Sequence, residues 1–439
     1  MTLTNSASTG HGPTAVPPAR LRPEARPPRT DHRALNAMRT VAATLVVLTH
    51  VRDLFFADPQ WASNALGDRV MYVLSAMGPA SVLVFFVLSG FWVGGSVLSS
   101  FRRRSFRWSS YGSARLTRLW IVLIPAIALT ALLDRVGMHF LPASSVYAGD
   151  AAYHLTVPAE NLAAHLTPQA ALGNALFVQT NLVPSYGTNA ALWSLAYEAT
   201  FYLVLPLALC TMFARRTRVK LLCLALLVAV SAIGGLDVLM YLPVWLLGVA
   251  VAWNKDRIAG WLERLPRRAL AASRIAALAA LVTAMALTAV RYSNLHVAVL
   301  AVATTVLVAL LVVDLDWEGL PGRVLGGMSR YADSSFSLYA VHLPIIALIA
   351  AVLVPDAAQR WEPSPGHWAA VVGLVAVMLV VGWAFARVTE ARTDSVRRTL
   401  ERRFPGGTGA GTGFGSLRVR RRDQRRPPAS ARDAEGAAS

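Results

Sequence analysis

Runs of roughly 17 to 25 apolar residues recur along most of this chain, and each is long enough to cross the hydrocarbon core of a bilayer as a helix. Inside lipid every backbone N–H and C=O must be bonded within the segment, so these runs are expected to be helical. Composition agrees, since 55% of the 439 residues are hydrophobic and 15% are charged. Ten spans are predicted, at approximately 34–55, 71–98, 113–133, 191–213, 218–235, 237–253, 269–290, 296–313, 335–354 and 367–388. The expected fold class is therefore an all-α polytopic membrane protein of about ten transmembrane helices. The apolar piece Asn174–Gln179 is too short to cross and is expected at the interface or as a re-entrant turn.

The formal charge of +18 is not spread evenly. One connecting segment carries Arg102, Arg103, Arg104 and Arg107. Another carries Arg215, Arg216, Arg218 and Lys220, and a third Lys255, Arg257, Arg264, Arg267 and Arg268. The alternate connections are poor in Lys and Arg. An even number of spans with both termini cytoplasmic satisfies the positive-inside rule at nearly every loop. The segment from Asp134 to Ala190 then lies outside. It holds His139, His154 and His165, whose spacing fits no metal motif, and they read as surface residues. Cys210 and Cys223 fall in apolar stretches and suit small core positions better than a disulfide or a metal site. No metal and no resident cofactor is expected.

Residues 1–33 are rich in Pro and Arg, without apolar periodicity, and are expected to be a disordered tail. They lack the apolar core and cleavage site of a signal peptide, so the first span should be retained. Residues 391–439 are expected to form a second disordered tail, basic and Gly-rich, beside anionic lipid. With no aromatic interleaving and no folded module there, nucleic acid is not an expected partner. The membrane domain is placed at 34–390.

Ionisable side chains within such spans are costly and mark function by default. The first span carries Asn36, Arg39 and His50. Eleven steps of about 100° return a helix to nearly the same face, so Arg39 and His50 share one stripe, roughly 16 Å apart. The bland reading is a snorkelling arginine and a hydrogen-bonded packing histidine. In the second span Ser89 and Gly90 allow close helix approach. The third opens with Arg115 and Arg118, a pair on one face that suits phosphate oxygens or, more plainly, anchors topology. The fourth begins Trp193–Glu198, WSLAYE, and Ser194, Glu198 and Tyr202 form a polar stripe. Glu198 and His50 lie at similar depth below their outer ends. In the ninth span Ser335, Tyr339 and His342 share a face.

Taken together, these pieces resemble the acyltransferase-3 family of integral membrane O-acyltransferases, over roughly Ala34 to Glu390. The matching features are Arg39 followed eleven residues later by His50, the string FFVLSGF at Phe85–Phe91, and the pair Arg115/Arg118 leading into Pro125. WSLAYE ending at Glu198 and SFSLYAVHLP at Ser335–Pro344 complete the set. The resemblance implies transfer of an acyl group, acetyl or short-chain, from cytoplasmic acyl-CoA to a sugar hydroxyl. The acceptor would be a surface glycan, a glycolipid or a glycosylated natural product. It implies His50 as the catalytic histidine, with Arg39, Arg115, Arg118 and Glu198 in the functional set. Two departures stand out: Asn36 occupies a position where the family usually has Asp, and the family's closing Glu-Pro is Glu390-Ala391 here.

The expected mechanism is O-acyl transfer, with neutral His50 accepting the acceptor's proton and Glu198 orienting the imidazole. A covalent acyl-histidine is the alternative route. Asn36, Arg39, Arg115, Arg118, Trp193, Ser194, Tyr339 and His342 are expected to bind the substrates, with acyl-CoA as co-substrate. A different class of function is a proton-coupled secondary transporter in which His50 and Glu198 relay a proton.

Overall fold

The computed structural model of the protein describes residues 32–60, 65–153, 155–158, 161–313 and 319–403. The expected tails over 1–31 and 404–439, and His154, lie outside the described residues. Among those residues no strand forms, only isolated bridges between Phe56 and Trp361 and between Gln179 and Val183.

The helices in chain order are α1 (Arg33–Phe55), α2 (Leu66–Ser75), α3 (Gly78–Ser89), α4 (Gly95–Arg102) and α5 (Trp108–Phe140). After short helices at Ser145–Ala148, Leu162–His165 and Pro168–Ala175, they continue as α6 (Trp193–Phe213), α7 (Thr217–Trp253), α8 (Lys255–Leu262), α9 (Arg267–Val290) and α10 (Asn294–Leu310). The last are α11 (Gly319–Tyr331), α12 (Ser335–Leu353), α13 (Pro365–Val388) and α14 (Thr393–Arg403). Among the described residues, eight helical stretches are long and apolar enough to cross a membrane.

The difference from ten has two physical sources. The 37-residue α7 counts once, yet Gly235 breaks it with φ 76 and ψ 172, a region essentially closed to residues with a side chain. The break leaves 18 residues on either side, which match the two separate spans expected there. It also frees carbonyls, and the Asn181 amide donates to those of Ile233 (3.0 Å) and Gly234. The other source is α10, whose 17 residues run about 25 Å, at the short end for a span.

The segment between α5 and α6 is held by buried polar groups. Asp134 accepts from the Thr188 amide (2.7 Å) and hydroxyl (2.8 Å). Asn174 donates to the Ala170 and Pro184 carbonyls and accepts from Tyr186 N–H, while Gln179 donates to Leu192. The Asn174–Gln179 piece is thus folded back by its own side chains. His139 is exposed, and His165 Nδ1 meets the Ser185 carbonyl at 3.0 Å. Cys210 and Cys223 are buried free thiols. Past α13 a 3-10 turn at Glu390–Arg392 leads into α14, which lies against α5.

One crossing fixes the site's floor. A π-turn, Gly90–Gly94, joins α3 to α4. There α3 and α7 touch backbone to backbone: a Cβ on Gly90 would overlap the Trp245 carbonyl, and one on Gly248 would overlap that of Val87. This contact brings the Ser89 hydroxyl within 3.2 Å of Trp245 Nε1.

Candidate active site

The stripe on α1 survives intact, because that helix is unbroken from Arg33 to Phe55. Arg39 donates to Ser335 Oγ at 3.1 Å, and its guanidinium lies over the Trp92 ring, 5.4 Å from the centroid. Eleven residues further on, His50 Nδ1 is 2.7 Å from His342 Nε2, with the two rings stacked at 5.0 Å. The stripe on α12 therefore meets the stripe on α1 twice, Ser335 with Arg39 and His342 with His50. Since both contacts come in the same chain order, the two helices run parallel.

The histidine pair has only one consistent neutral tautomer arrangement. His342 Nδ1 faces the carbonyls of Tyr339 (2.8 Å) and Leu338 (3.2 Å), so it carries the proton and donates. Its Nε2 is then the acceptor, and His50 Nδ1–H donates to it. That leaves the lone pair of His50 on Nε2. His342 is fully buried and His50 half-buried.

A cavity of about 390 Å³ opens between α1, α3, α5, α6 and α12. It gathers Asn36, Arg39, Arg115, Arg118, Ser194, Glu198 and Tyr339. Arg115 donates to Ser96 Oγ (3.0 Å) and lies over the rings of Tyr111 and Tyr202. Its Nε is buried without a hydrogen-bond partner, an unmet donor beside the cavity. Glu390 is an electrostatic neighbour of both Arg39 and Arg118 and accepts from the Ser337 amide. Tyr339 donates to the Ala191 carbonyl and accepts from Ser194, each at 2.7 Å, so its hydroxyl is fixed.

Three expected site residues fall elsewhere. His50 and His342 do not line this cavity; they sit past Tyr339, whose own carbonyl holds His342. Trp193 packs edge-on against Tyr197 at 4.9 Å and against Phe86. The expected pairing of Glu198 with His50 is not made. Glu198 turns towards α3 and accepts from Ser89 (2.6 Å) and Tyr202 (2.5 Å). Neither depth nor rotation matches: Gly78 bonds Thr49, and Ser89 lies eleven residues further along the antiparallel α3, so Ser89 and Glu198 stand at the level of Arg39. The partner that orients His50 is His342.

Sequence reasoning assigned Ser89 to packing, and it packs and hydrogen-bonds Glu198 together. Tyr202 and Ser335 stood in recognisable stripes and now line the cavity, whereas nothing in the sequence pointed to Trp92.

A family model described as an acyltransferase domain matches residues 32–387. The chain belongs to the acyltransferase-3 family. No curated protein and no solved structure matches it. As a member of that family it is an acyltransferase embedded in a membrane. The matched residues run from just before α1 to the last turn of α13, so the cavity and the histidine pair lie within the acyltransferase domain.

Proposed function

We propose that this enzyme transfers a short acyl group from acyl-CoA to a hydroxyl of a carbohydrate or glycoside. The observation that carries the reading is the oriented His50–His342 pair beyond a cavity walled by Arg39, Arg115 and Arg118. Forked guanidinium groups suit the phosphates of CoA. His50 lies roughly 16 Å further along the same stripe, of the order of an extended pantetheine arm. His50 Nε2 removes the proton as the acceptor oxygen attacks the thioester carbonyl. The carbon–sulfur bond breaks, and the imidazolium returns that proton to the departing thiolate. Burst or ping-pong kinetics would mark the acyl-histidine route instead.

Both termini lie on the cytoplasmic side in this reading, because the Arg-rich connections then all face inward. A reporter fused after Ser439 is expected to be silent outside intact cells. Labelling there from outside would invert the site and put the arginines on the wrong face.

The test of function is release of free CoA thiol by the purified protein from a panel of acyl-CoA donors, with sugar acceptors and no ion gradient. Arg115→Lys and Arg118→Lys keep charge but lose the planar fork, and are expected to bind acetyl-CoA about tenfold more weakly. No thiol release from any donor, or wild-type affinity in both variants, would overturn the assignment.

Asn36 is a further probe. Its amide reaches Ser329 Oγ at 3.5 Å, and it lines the cavity beside Arg39. A carboxylate there would oppose an anionic donor by about 1 kcal/mol where water screens the pair, or roughly fivefold in affinity. Asn36→Asp is expected to fold normally and show that loss in titration with CoA. An unchanged Kd would mean that the position does not face the donor.

A further inference from the structure

A second cavity of about 290 Å³ shares Trp92 with the wall of the first. It lies where α1 begins and α4 and α7 end, next to α8, and its wall includes His32, Trp92, Arg102, Trp253, Lys255 and Asp256. The chemistry differs from a lipid-facing crevice in two ways. Cations are paired with ring faces: the Arg102 guanidinium sits over Trp253 at 5.6 Å, as Arg39 sits over Trp92 on the other side of the shared wall. Lys255 is anchored by its ammonium to His32 Nε2 at 3.3 Å, so the group is held at the cavity. Among the described residues Asp256 is the one carboxylate on the wall, against the two formal cations Arg102 and Lys255. The site is thus net positive and aromatic, and half open: Arg102 and Trp253 are exposed.

Cations flanked by indole rings recognise a phosphorylated nucleoside, since the rings stack a base while the cations take phosphate. Each cavity alone is near the lower end of the roughly 300–1,000 Å³ common for small-molecule sites. The two together accommodate a long, two-ended ligand. The geometry points to the second cavity as the site for the nucleoside end of the donor, the adenine ring and its ribose phosphate, with the diphosphate passing Trp92 to the arginines of the first. This rests on the acyl-CoA reading above. It adds Arg102, Trp253 and Lys255 as donor-binding groups, and Trp92 as the residue that the diphosphate must pass.

Arg102→Gln and Trp253→Leu, on two different helices, test this in the full-length purified protein. Steady-state kinetics are measured with acetyl-CoA and with acetyl-pantetheine, which lacks the nucleotide. Each variant is expected to raise KM for acetyl-CoA about tenfold, and for acetyl-pantetheine less than twofold. Adenosine 3′,5′-bisphosphate is titrated separately by calorimetry, a readout that needs no turnover. It is expected to bind wild type and to lose about tenfold in each variant. Equal effects on both donors, or bisphosphate binding that is absent from wild type or unchanged in both variants, overturns the proposal. An anionic lipid headgroup could supply the same phosphate chemistry. Titrations are therefore repeated in nanodiscs with and without phosphatidylglycerol, and variants that alter only the lipid dependence would assign the cavity to lipid. Wild type that binds bisphosphate yet consumes no acyl-CoA would leave this site standing and sink the donor reading instead.

Discussion

Purified His50→Ala is expected to lose acyl transfer by at least about 100-fold, the scale of lost general acid–base assistance, while still binding CoA. The reason lies in where the proton of each ring is fixed. His342 has its Nδ1–H committed to backbone carbonyls, so its Nε2 must accept, and His50 must donate from Nδ1. The only uncommitted ring nitrogen in the pair is then Nε2 of His50. Alanine removes it without touching the arginines or the cavity, which His50 does not line. Thermal denaturation and CoA titration of the same preparation separate chemistry from folding. Near-normal turnover in a folded His50→Ala protein would eliminate His50 as the proton acceptor.

His342→Ala should come close to it, with kcat reduced by roughly 100-fold and KM for the donor within about twofold of wild type. His342 is fully buried, lies outside the cavity and touches His50 directly. Without it the His50 ring is free to rotate and to carry its proton on either nitrogen. A wrong tautomer with intact geometry is known to be severe in triads of this logic. His342→Gln keeps an acceptor at that point and is expected to retain more activity than the alanine variant. If both variants instead raise KM and leave kcat intact, His342 belongs to substrate binding and the tautomer argument fails.

The spans were legible because hydrocarbon imposes one requirement on every segment, that its backbone bond internally, and apolar length reports it. The stripes Arg39/His50 and Ser335/Tyr339/His342 were legible because helical periodicity fixes which residues share a face. What periodicity leaves open is which faces meet. Counting from the helix ends puts Glu198 level with His50, but its stripe meets Ser89 at the level of Arg39, and the position of Ser89 follows from the glycine contact between α3 and α7. No one-dimensional pattern encodes that placement. Trp193 sits at the head of a polar stripe and still packs away from the cavity, in a cluster with Phe86 and Tyr197. The break at Gly235 was placed by composition between two apolar runs, while its cap by Asn181 is 54 residues away in sequence and carries no local signal.

The parallel pairing of α1 with α12 also limits how the protein can move. The two helices are tied by polar contacts near both ends of the shared stripe, Arg39 to Ser335 and His50 to His342. Any rocking of one against the other must open at least one of these ties in a low-dielectric interior, where unmet polar groups are costly. Alternating access, the working cycle of a carrier, would need such an opening at every turn. Two parallel helices tied near both ends of one stripe form a frame that resists that motion.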